Sequence, residues 1–139
     1  MRKLVRFGVS LEETLVKKFD AQIKDKGYRT RSKAIGDLIR ESMVRQEWAG
    51  GTTVAGAIIL VYDHHKREVT EHLTHIQHDH HDCIVSSQHV HLDHNNCLEV
   101  IVVRGKPSEA RKLAAELKAV KGVKHSSLTA ATTGRDMDW

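Results

Sequence analysis

The stretch CIVSSQHVHLDHNNCLEVIVVRG (residues 83–105) decides how the second half of this chain folds. Residues 83–92 alternate between apolar and polar side chains, and residues 97–105 form a mostly apolar run, so both are predicted to be strands. Between them, DHNN (residues 93–96) supplies residue types that favour a tight turn. We therefore expect a β-hairpin in this stretch.

The segments on either side of the hairpin complete a larger pattern. Upstream, VAGAIILVYD (residues 54–63) predicts a buried strand, and the apolar spacing of residues 67–77 predicts a helix. Downstream, Pro107 is expected to open a second helix, Gly122 to end it, and residues 123–130 to form the last strand. The order βαββαβ predicts a ferredoxin-like domain, which is an α+β fold.

The first 48 residues predict a strand followed by two helices. KLVRFGV (residues 3–9) has the alternation of a strand, one helix is expected from Ser10 to Gly27, and another ends near Trp48. A lone strand leaves its backbone groups unpaired, and roughly 45 residues bury too little surface to be stable alone. Both problems disappear if two copies pair their strands, so we expect this unit to dimerise.

Such a unit resembles the ribbon-helix-helix repressors, whose two-stranded ribbon enters the major groove of DNA. The side chains expected to point inward from the ribbon are Val5, Phe7 and Val9. Those expected to face DNA are Leu4, Arg6 and Gly8. An ordinary dimerisation module is the alternative interpretation.

The chain is thus predicted to contain two domains, residues 1–48 and residues 54–132. The segment AGGTT (residues 49–53) is expected to be a linker, because paired glycines destabilise a helix. Residues 133–139 are expected to form a loose or surface tail.

Histidine is the unusual residue in the composition. The chain has 139 residues, 11 of them histidine, and all except His125 fall within residues 64–94. Such clustering favours metal binding. Two cysteines do not make a disulfide framework, and the sequence has neither a signal peptide nor an apolar run of membrane-spanning length, so we expect a reduced, cytoplasmic protein. The net charge of +4 is compatible with a polyanionic partner but does not identify one.

Three side chains of the hairpin are placed to share a metal ion. His89 and His91 lie two residues apart on a strand, so they point to one face, about 6.6 Å apart along the chain. Cys97 begins the paired strand directly after the turn, which brings it close to His91. The alternatives are a solvent-facing polar strand and a core cysteine. The residues alone leave open the metal (zinc, copper or nickel) and the fourth ligand, for which the candidates are His75, His78, His80 and His81.

Five stretches of the chain together resemble one family. They are LVRFGVSLEETL (residues 4–15), GYRTRSKAI (27–35), QHDHHD (77–82), HVHLDHNNCLEV (89–100) and GVKHSSL (122–128). Over nearly the whole chain they are similar to the nickel-responsive ribbon-helix-helix transcriptional regulators of the NikR family. The combination of HVH, a short turn and CLE is specific when it follows such an N-terminus.

The resemblance implies a nickel-responsive repressor rather than an enzyme. It implies a ribbon-helix-helix domain joined to a ferredoxin-like, ACT-type domain that assembles into a homotetramer, a dimer of dimers. Such an assembly would bind a palindromic operator in double-stranded DNA and would need no membrane. It would hold Ni(II), one ion per subunit, at the tetramer interface.

The resemblance also implies which residues hold the nickel. A planar site would consist of His89, His91 and Cys97 from one subunit, with His78 from the opposing subunit. Tyr62 and Glu99 match positions beside that site, and Glu99 is expected to orient the ligands.

The match is incomplete at two other places. A second cation site between the domains is implied by Asp37, but Lys33 stands where a glutamate is expected, and its ammonium can pair with Asp37 one helical turn away. On the ribbon, Leu4 and Gly8 differ from some members, so no operator sequence is implied, although Arg6 is expected to read base edges. The basic residues expected to contact phosphates are Lys3, Arg29, Arg31 and Lys33.

Three other functions are compatible with parts of the sequence. A zinc- or copper-responsive repressor would use the same ligands. A histidine-rich storage or delivery protein would not need residues 1–48. A metallohydrolase built on the HVH pair would need an open coordination position and a general base, which four protein ligands leave no room for.

Overall fold

The computed structural model of the chain describes residues 3–137. Its internal contacts group residues 3–43 and residues 44–136 into two compact units. The division comes before the predicted domain end at residue 48 because Val44 and Trp48 pack with the hydrophobic core of the second unit.

In the first unit, helix α1 (Glu13–Asp25) ends as the sequence predicts. Gly27 adopts a φ of 81°, in the left-handed region that glycine enters without strain. The N–H of the following Tyr28 donates to the carbonyl oxygen of Ile23 at 2.9 Å. This bond reverses the chain direction and satisfies a carbonyl that the end of the helix would otherwise leave unpaired.

The two helices of the first unit begin differently, because α2 has a side-chain cap and α1 has none. Glu12 lies at the N-cap of α1 and makes no side-chain capping bond, so the helix start predicted at Ser10 is wrong. Helix α2 (Arg31–Ala49) is capped by Thr30, whose Oγ1 accepts the N–H of Lys33 at 3.2 Å.

The strand predicted for residues 3–9 is not formed within the chain. Residues 3–12 have no regular secondary structure. The apolar side chains of this segment are exposed: Leu4, Val5, Phe7 and Val9. A strand needs a neighbour for its backbone groups, and every strand pair in the described residues belongs to the sheet of the second unit. A ribbon therefore stays a prediction for a pair of chains.

The second unit is a four-stranded antiparallel sheet with two helices. In chain order its elements are β1 (Val54–Asp63), α3 (Arg67–Asp79), a 3₁₀ turn (His81–Cys83), β2 (Ile84–His91), β3 (Asn96–Gly105), α4 (Pro107–Lys118) and β4 (Val123–Ala130). The strand order across the sheet is β2-β3-β1-β4. The predicted βαββαβ order is confirmed, and element ends agree to within about two residues.

One face of the sheet packs against α3 and α4 to form the core. Alternate residues of β1 are buried from Val54 to Tyr62, as the period of a strand requires. The other face carries Ile59, Val61 and Val100, which are partly exposed, and Val102, which is exposed. Aliphatic side chains on both faces are typical of strands that are covered on both sides, so the second face has the composition of a contact surface.

The predicted tail has neither helix nor strand over residues 133–137, and its last two residues lie outside the described range. No helix within residues 3–137 combines the length and the apolar character that a membrane crossing requires.

Candidate metal centre

A short turn sets the register of the hairpin that carries the predicted ligands. Asp93 accepts hydrogen bonds from the backbone N–H groups of Asn95 (2.9 Å) and Asn96 (2.7 Å). Hydrogen bonds from the Asn96 side chain, and after them these two backbone bonds, lower the pKa of Asp93 to about 2. The closed turn places His91 directly opposite Cys97 on the paired strand.

The three predicted ligands lie on the helix-covered face of the sheet. Cys97 is buried, and its Sγ lies 3.9 Å from Nδ1 of His89. His91 is opposite Cys97 across the hairpin, and its ring stacks on that of His64 with a centroid separation of 4.4 Å. A thiol and two imidazoles are thus held on two adjacent strands by backbone pairing.

Glu99 lies directly opposite His89 and is 1% exposed. Its Oε1 accepts the hydroxyl of Tyr62 at 2.7 Å, and its Oε2 accepts the side-chain amide of Gln77 at 2.8 Å. The hydroxyl of Ser87 donates to Oε2 at 3.2 Å. Burial of a carboxylate is costly unless hydrogen bonds compensate for lost water, and here three side chains from three elements supply them.

Glu99 also connects to the imidazole of His89. The Nε2 atom of His89 is 3.5 Å from Oε1 of Glu99, and the hydroxyl of Tyr62 is 3.3 Å from Nδ1 of the same ring. Burial, and secondly the bond to Glu99, raise the pKa of Tyr62, so its hydroxyl stays protonated and donates. Tyr62 and Glu99 therefore both lie beside the His89 ring, and the orienting role expected of Glu99 stays a prediction.

A cavity of about 350 Å³ lies over these side chains, between α3 and the hairpin. Its lining comprises Tyr62, His64, Thr70, Leu73, Thr74, Gln77, Ser87, His89, His91, Cys97 and Glu99. Gln77, Ser87 and His64 were not singled out from the sequence. The signal for Gln77 was available, because it lies four residues after the buried Leu73 and so on the inward face of α3.

His64 adds a further aromatic ring to the lining of the cavity. Its Nδ1 is buried without a hydrogen-bond partner in the described part of the chain. Burial and the neighbouring histidines, His65 first among them, lower the pKa of His64. The ring is therefore neutral at neutral pH, where a neutral imidazole is the form that binds metals.

The four candidates for a further ligand lie elsewhere. His78 is exposed on α3 and does not line the cavity. His80 is bound to Glu116 (2.6 Å), His75 lies 3.5 Å from Asp79, and His81 Nδ1 is 3.1 Å from the His78 carbonyl oxygen. Across residues 3–137, no three His, Cys, Asp or Glu side chains are already arranged to hold a metal ion. One chain therefore brings part of a ligand set together, without His78.

The residues predicted to face DNA, Leu4, Arg6 and Gly8, lie in the exposed segment without regular structure. Of the predicted phosphate contacts, Arg31 is held by Asp20 through two bonds of 2.8 and 2.6 Å. Lys33 is held by Asp37.

Known proteins match both the second half of the chain and the chain as a whole. The family model for the NikR C terminal nickel binding domain matches residues 55–131. A nickel-responsive regulator of Syntrophus aciditrophicus is 52% identical over 135 residues, which is 97% of this chain and 98% of that protein. The chain belongs to the NikR family. This membership makes it a regulatory protein rather than an enzyme.

Other NikR relatives are equally similar over their full length. A nickel-responsive regulator of Nitratidesulfovibrio vulgaris is 51% identical, with 99% of each chain covered. One from Chlorobaculum tepidum is 55% identical, with 93% of this chain and 96% of that protein covered. Among solved structures, an uncharacterized protein from Thermotoga maritima aligns with a TM-score of 0.53 at 11% identity, over 58% of this chain and 100% of its own. That likeness concerns the fold alone.

The bonds of Glu99 predict the effect of changing it to Gln. In the Glu99→Gln protein an amide group with its own N–H donors replaces one acceptor oxygen, so a buried donor loses its partner. The free energy of unfolding of the metal-free protein is expected to fall by about 1–3 kcal/mol, measured by urea denaturation at fixed protein concentration. Glu68→Gln, on the exposed surface of α3, is the control and should change it by less than about 0.5 kcal/mol. If Glu99→Gln lowers the free energy of unfolding no more than Glu68→Gln does, the role given to Glu99 is contradicted.

Proposed function

We propose that this NikR protein is a transcriptional repressor that binds a palindromic DNA operator when Ni(II) occupies sites at the interface of a homotetramer. The observation that carries the proposal is that His89, His91 and Cys97 line one cavity together with the buried carboxylate of Glu99. The choice of nickel rests on the family model that matches residues 55–131, which describes a nickel binding domain. The cytoplasmic location predicted from the sequence stays a prediction.

The residues present fit a nickel ion. His89, His91 and Cys97 would hold it, with two nitrogens and one sulfur from a single chain, and imidazole and thiolate are donors that suit Ni(II). When bound, the ion would supply a positive charge that links these groups to one further donor. Cys97 would bind as a thiolate, so its proton must leave on binding.

His78 is the proposed fourth ligand, supplied by the opposing subunit, with one nickel per subunit. Within its own chain His78 faces solvent while the adjacent Gln77 lines the cavity. Adjacent residues on a helix point in different directions, so Gln77 and His78 would serve two different sites. The exposed position of His78 is what a ligand for a neighbouring chain requires.

The hydrogen bonds of Glu99 offer a path from the nickel to helix α3. His89 contacts Glu99, and Glu99 accepts the amide of Gln77, which precedes His78 on that helix. Nickel at one site would thus stabilise the position of α3, and with it the ligand given to the next site. Allosteric coupling between sites is typically worth about 1–3 kcal/mol and is reciprocal.

Two features support association of copies. The second sheet face carries part-exposed aliphatic side chains, among them Val100 and Val102. In the first unit, the alternating side chains of Val5, Phe7 and Val9 are exposed in the single chain. Paired antiparallel with a second copy, residues 3–9 would bury these three and present Leu4, Arg6 and Gly8 to the major groove.

The proposal predicts that loss of Cys97 abolishes the response to nickel. Nickel-loaded protein is first used to select a duplex from a randomised pool, and fluorescence anisotropy then measures its affinity with nickel and after chelation. For the wild type, chelation should weaken binding by about 5- to 150-fold. Cys97→Ala should bind equally weakly in both conditions. Cys83→Ala, which removes the other buried thiol, is the control and should respond as the wild type does. A full nickel response in Cys97→Ala would overturn the site.

The origin of the fourth ligand is tested by mixing variants. His78→Ala and Cys97→Ala each lack a complete site. In mixed assemblies, half of the facing pairs combine the two variants, and one of the two sites in such a pair is intact, so about a quarter of the sites should recover. The readout is nickel retained after gel filtration.

The control mixture combines Cys97→Ala with His89→Ala, which both damage the same half of the site. No complete site can form in that mixture, so it should retain no more nickel than either variant alone. If the His78→Ala mixture recovers nothing beyond this control, His78 does not bind across the interface.

A further inference from the structure

Asp37 on α2 lies at the centre of a charged cluster in the first unit. Its Oδ1 accepts hydrogen bonds from Nζ of Lys33 at 2.6 Å and from Nη1 of Arg40 at 2.8 Å. Its Oδ2 accepts the hydroxyl of Tyr28 at 2.9 Å. The Lys33 ammonium, and after it the Tyr28 hydroxyl, lower the pKa of the Asp37 carboxyl, which is therefore ionised at neutral pH.

Gly36, which has no side chain, leaves space for the Arg40 guanidinium beside Asp37. A Cβ atom added at Gly36 would lie 3.1 Å from Nη1 of Arg40, a closer approach than most real contacts. Glycine at this position therefore lets the guanidinium fold back over α2 to reach Asp37. The cluster joins the α1–α2 loop, at Tyr28, to the first three turns of α2.

The cluster does not fit the second cation site that the family resemblance implies. That site pairs two acidic residues one helical turn apart, whereas this chain has Lys33 in the first of the two positions. The ammonium of Lys33 and the guanidinium of Arg40 already offset the negative charge that Asp37 and the nearby Glu41 would offer a further cation. Both oxygens of Asp37 are already engaged, while hard cations require several oxygen ligands.

We infer that the Lys33 ammonium serves as a tethered cation, and that this chain needs no external cation at Asp37. A bound ion would neutralise the carboxylate only when the ion is abundant. Lys33 neutralises it at all ionic compositions, because the ammonium is part of the chain. At a given ionic strength, the link between the α1–α2 loop and α2 then does not depend on which cation the salt supplies. This inference goes beyond the proposed function and holds whether or not the protein binds DNA.

The test uses nickel-loaded full-length protein, so that the histidine and cysteine ligands are already filled. Thermal unfolding is compared in KCl and in tetramethylammonium chloride at equal ionic strength. Mn²⁺ is then added as a paramagnetic probe, and broadening of the Tyr28 NMR signals reports binding at the cluster. The variants are Lys33→Glu, which supplies the missing carboxylate, and Lys33→Gln, which removes only the charge.

The wild type should unfold at the same temperature in both salts, within about 1 °C, and Mn²⁺ should not broaden Tyr28. Lys33→Glu should unfold at higher temperature in KCl, since an ion that binds the native state stabilises it, and Mn²⁺ should broaden Tyr28. Lys33→Gln loses the ammonium and gains no carboxylate, so it should unfold below the wild-type temperature by the same amount in both salts, and Mn²⁺ should not broaden Tyr28.

Two results would overturn the inference. One is broadening of Tyr28, or a preference for KCl, in the wild type. The other is a folded Lys33→Glu protein that is indifferent to both ions, because Lys33 would then not be what replaces the cation. If Lys33→Glu does not fold, the Mn²⁺ measurement on the wild type still decides whether the cluster admits a cation.

Discussion

The hydrogen bonds that hold the buried carboxylate of Glu99 determine the form of the candidate metal centre. A carboxylate in a sheet, with 1% of its surface exposed, is stable only where donors replace water. Those donors are Tyr62 on β1, Ser87 on β2 and Gln77 on α3. The requirement to satisfy one group therefore brings together the three walls of the cavity that His89, His91 and Cys97 line.

This constraint explains why the local sequence pattern places the three candidate ligands on one hairpin but does not indicate most of their surroundings. Strand periodicity and the turn at Asp93 involve residues close in sequence, so the hairpin, and the position of His89, His91 and Cys97 on it, followed from the pattern alone. The βαββαβ order and its element ends followed from equally local signals. Gln77, Ser87 and His64 are brought to the site by packing of distant segments, and a single sequence does not display such contacts.

In the first unit, a local sequence pattern predicts an element that the single chain does not form. Residues 3–9 have the alternation of a strand, yet they form none in a single chain, because the hydrogen-bonding partner they require is absent from the rest of the fold. His78 is likewise exposed on α3 and does not line the cavity of its own chain. A second copy of the chain is the proposed partner for both, and that proposal rests on the family resemblance and not on the sequence pattern.

The central claim is that nickel is bound by three imidazole nitrogens and one thiolate sulfur, drawn from two subunits. Nickel X-ray absorption spectroscopy of the full-length protein, loaded with one Ni(II) per chain, tests this ligand set most directly. The account predicts four nearest neighbours, one of them sulfur and the others nitrogen. A nickel ion surrounded only by nitrogen and oxygen, with no sulfur neighbour, would contradict it.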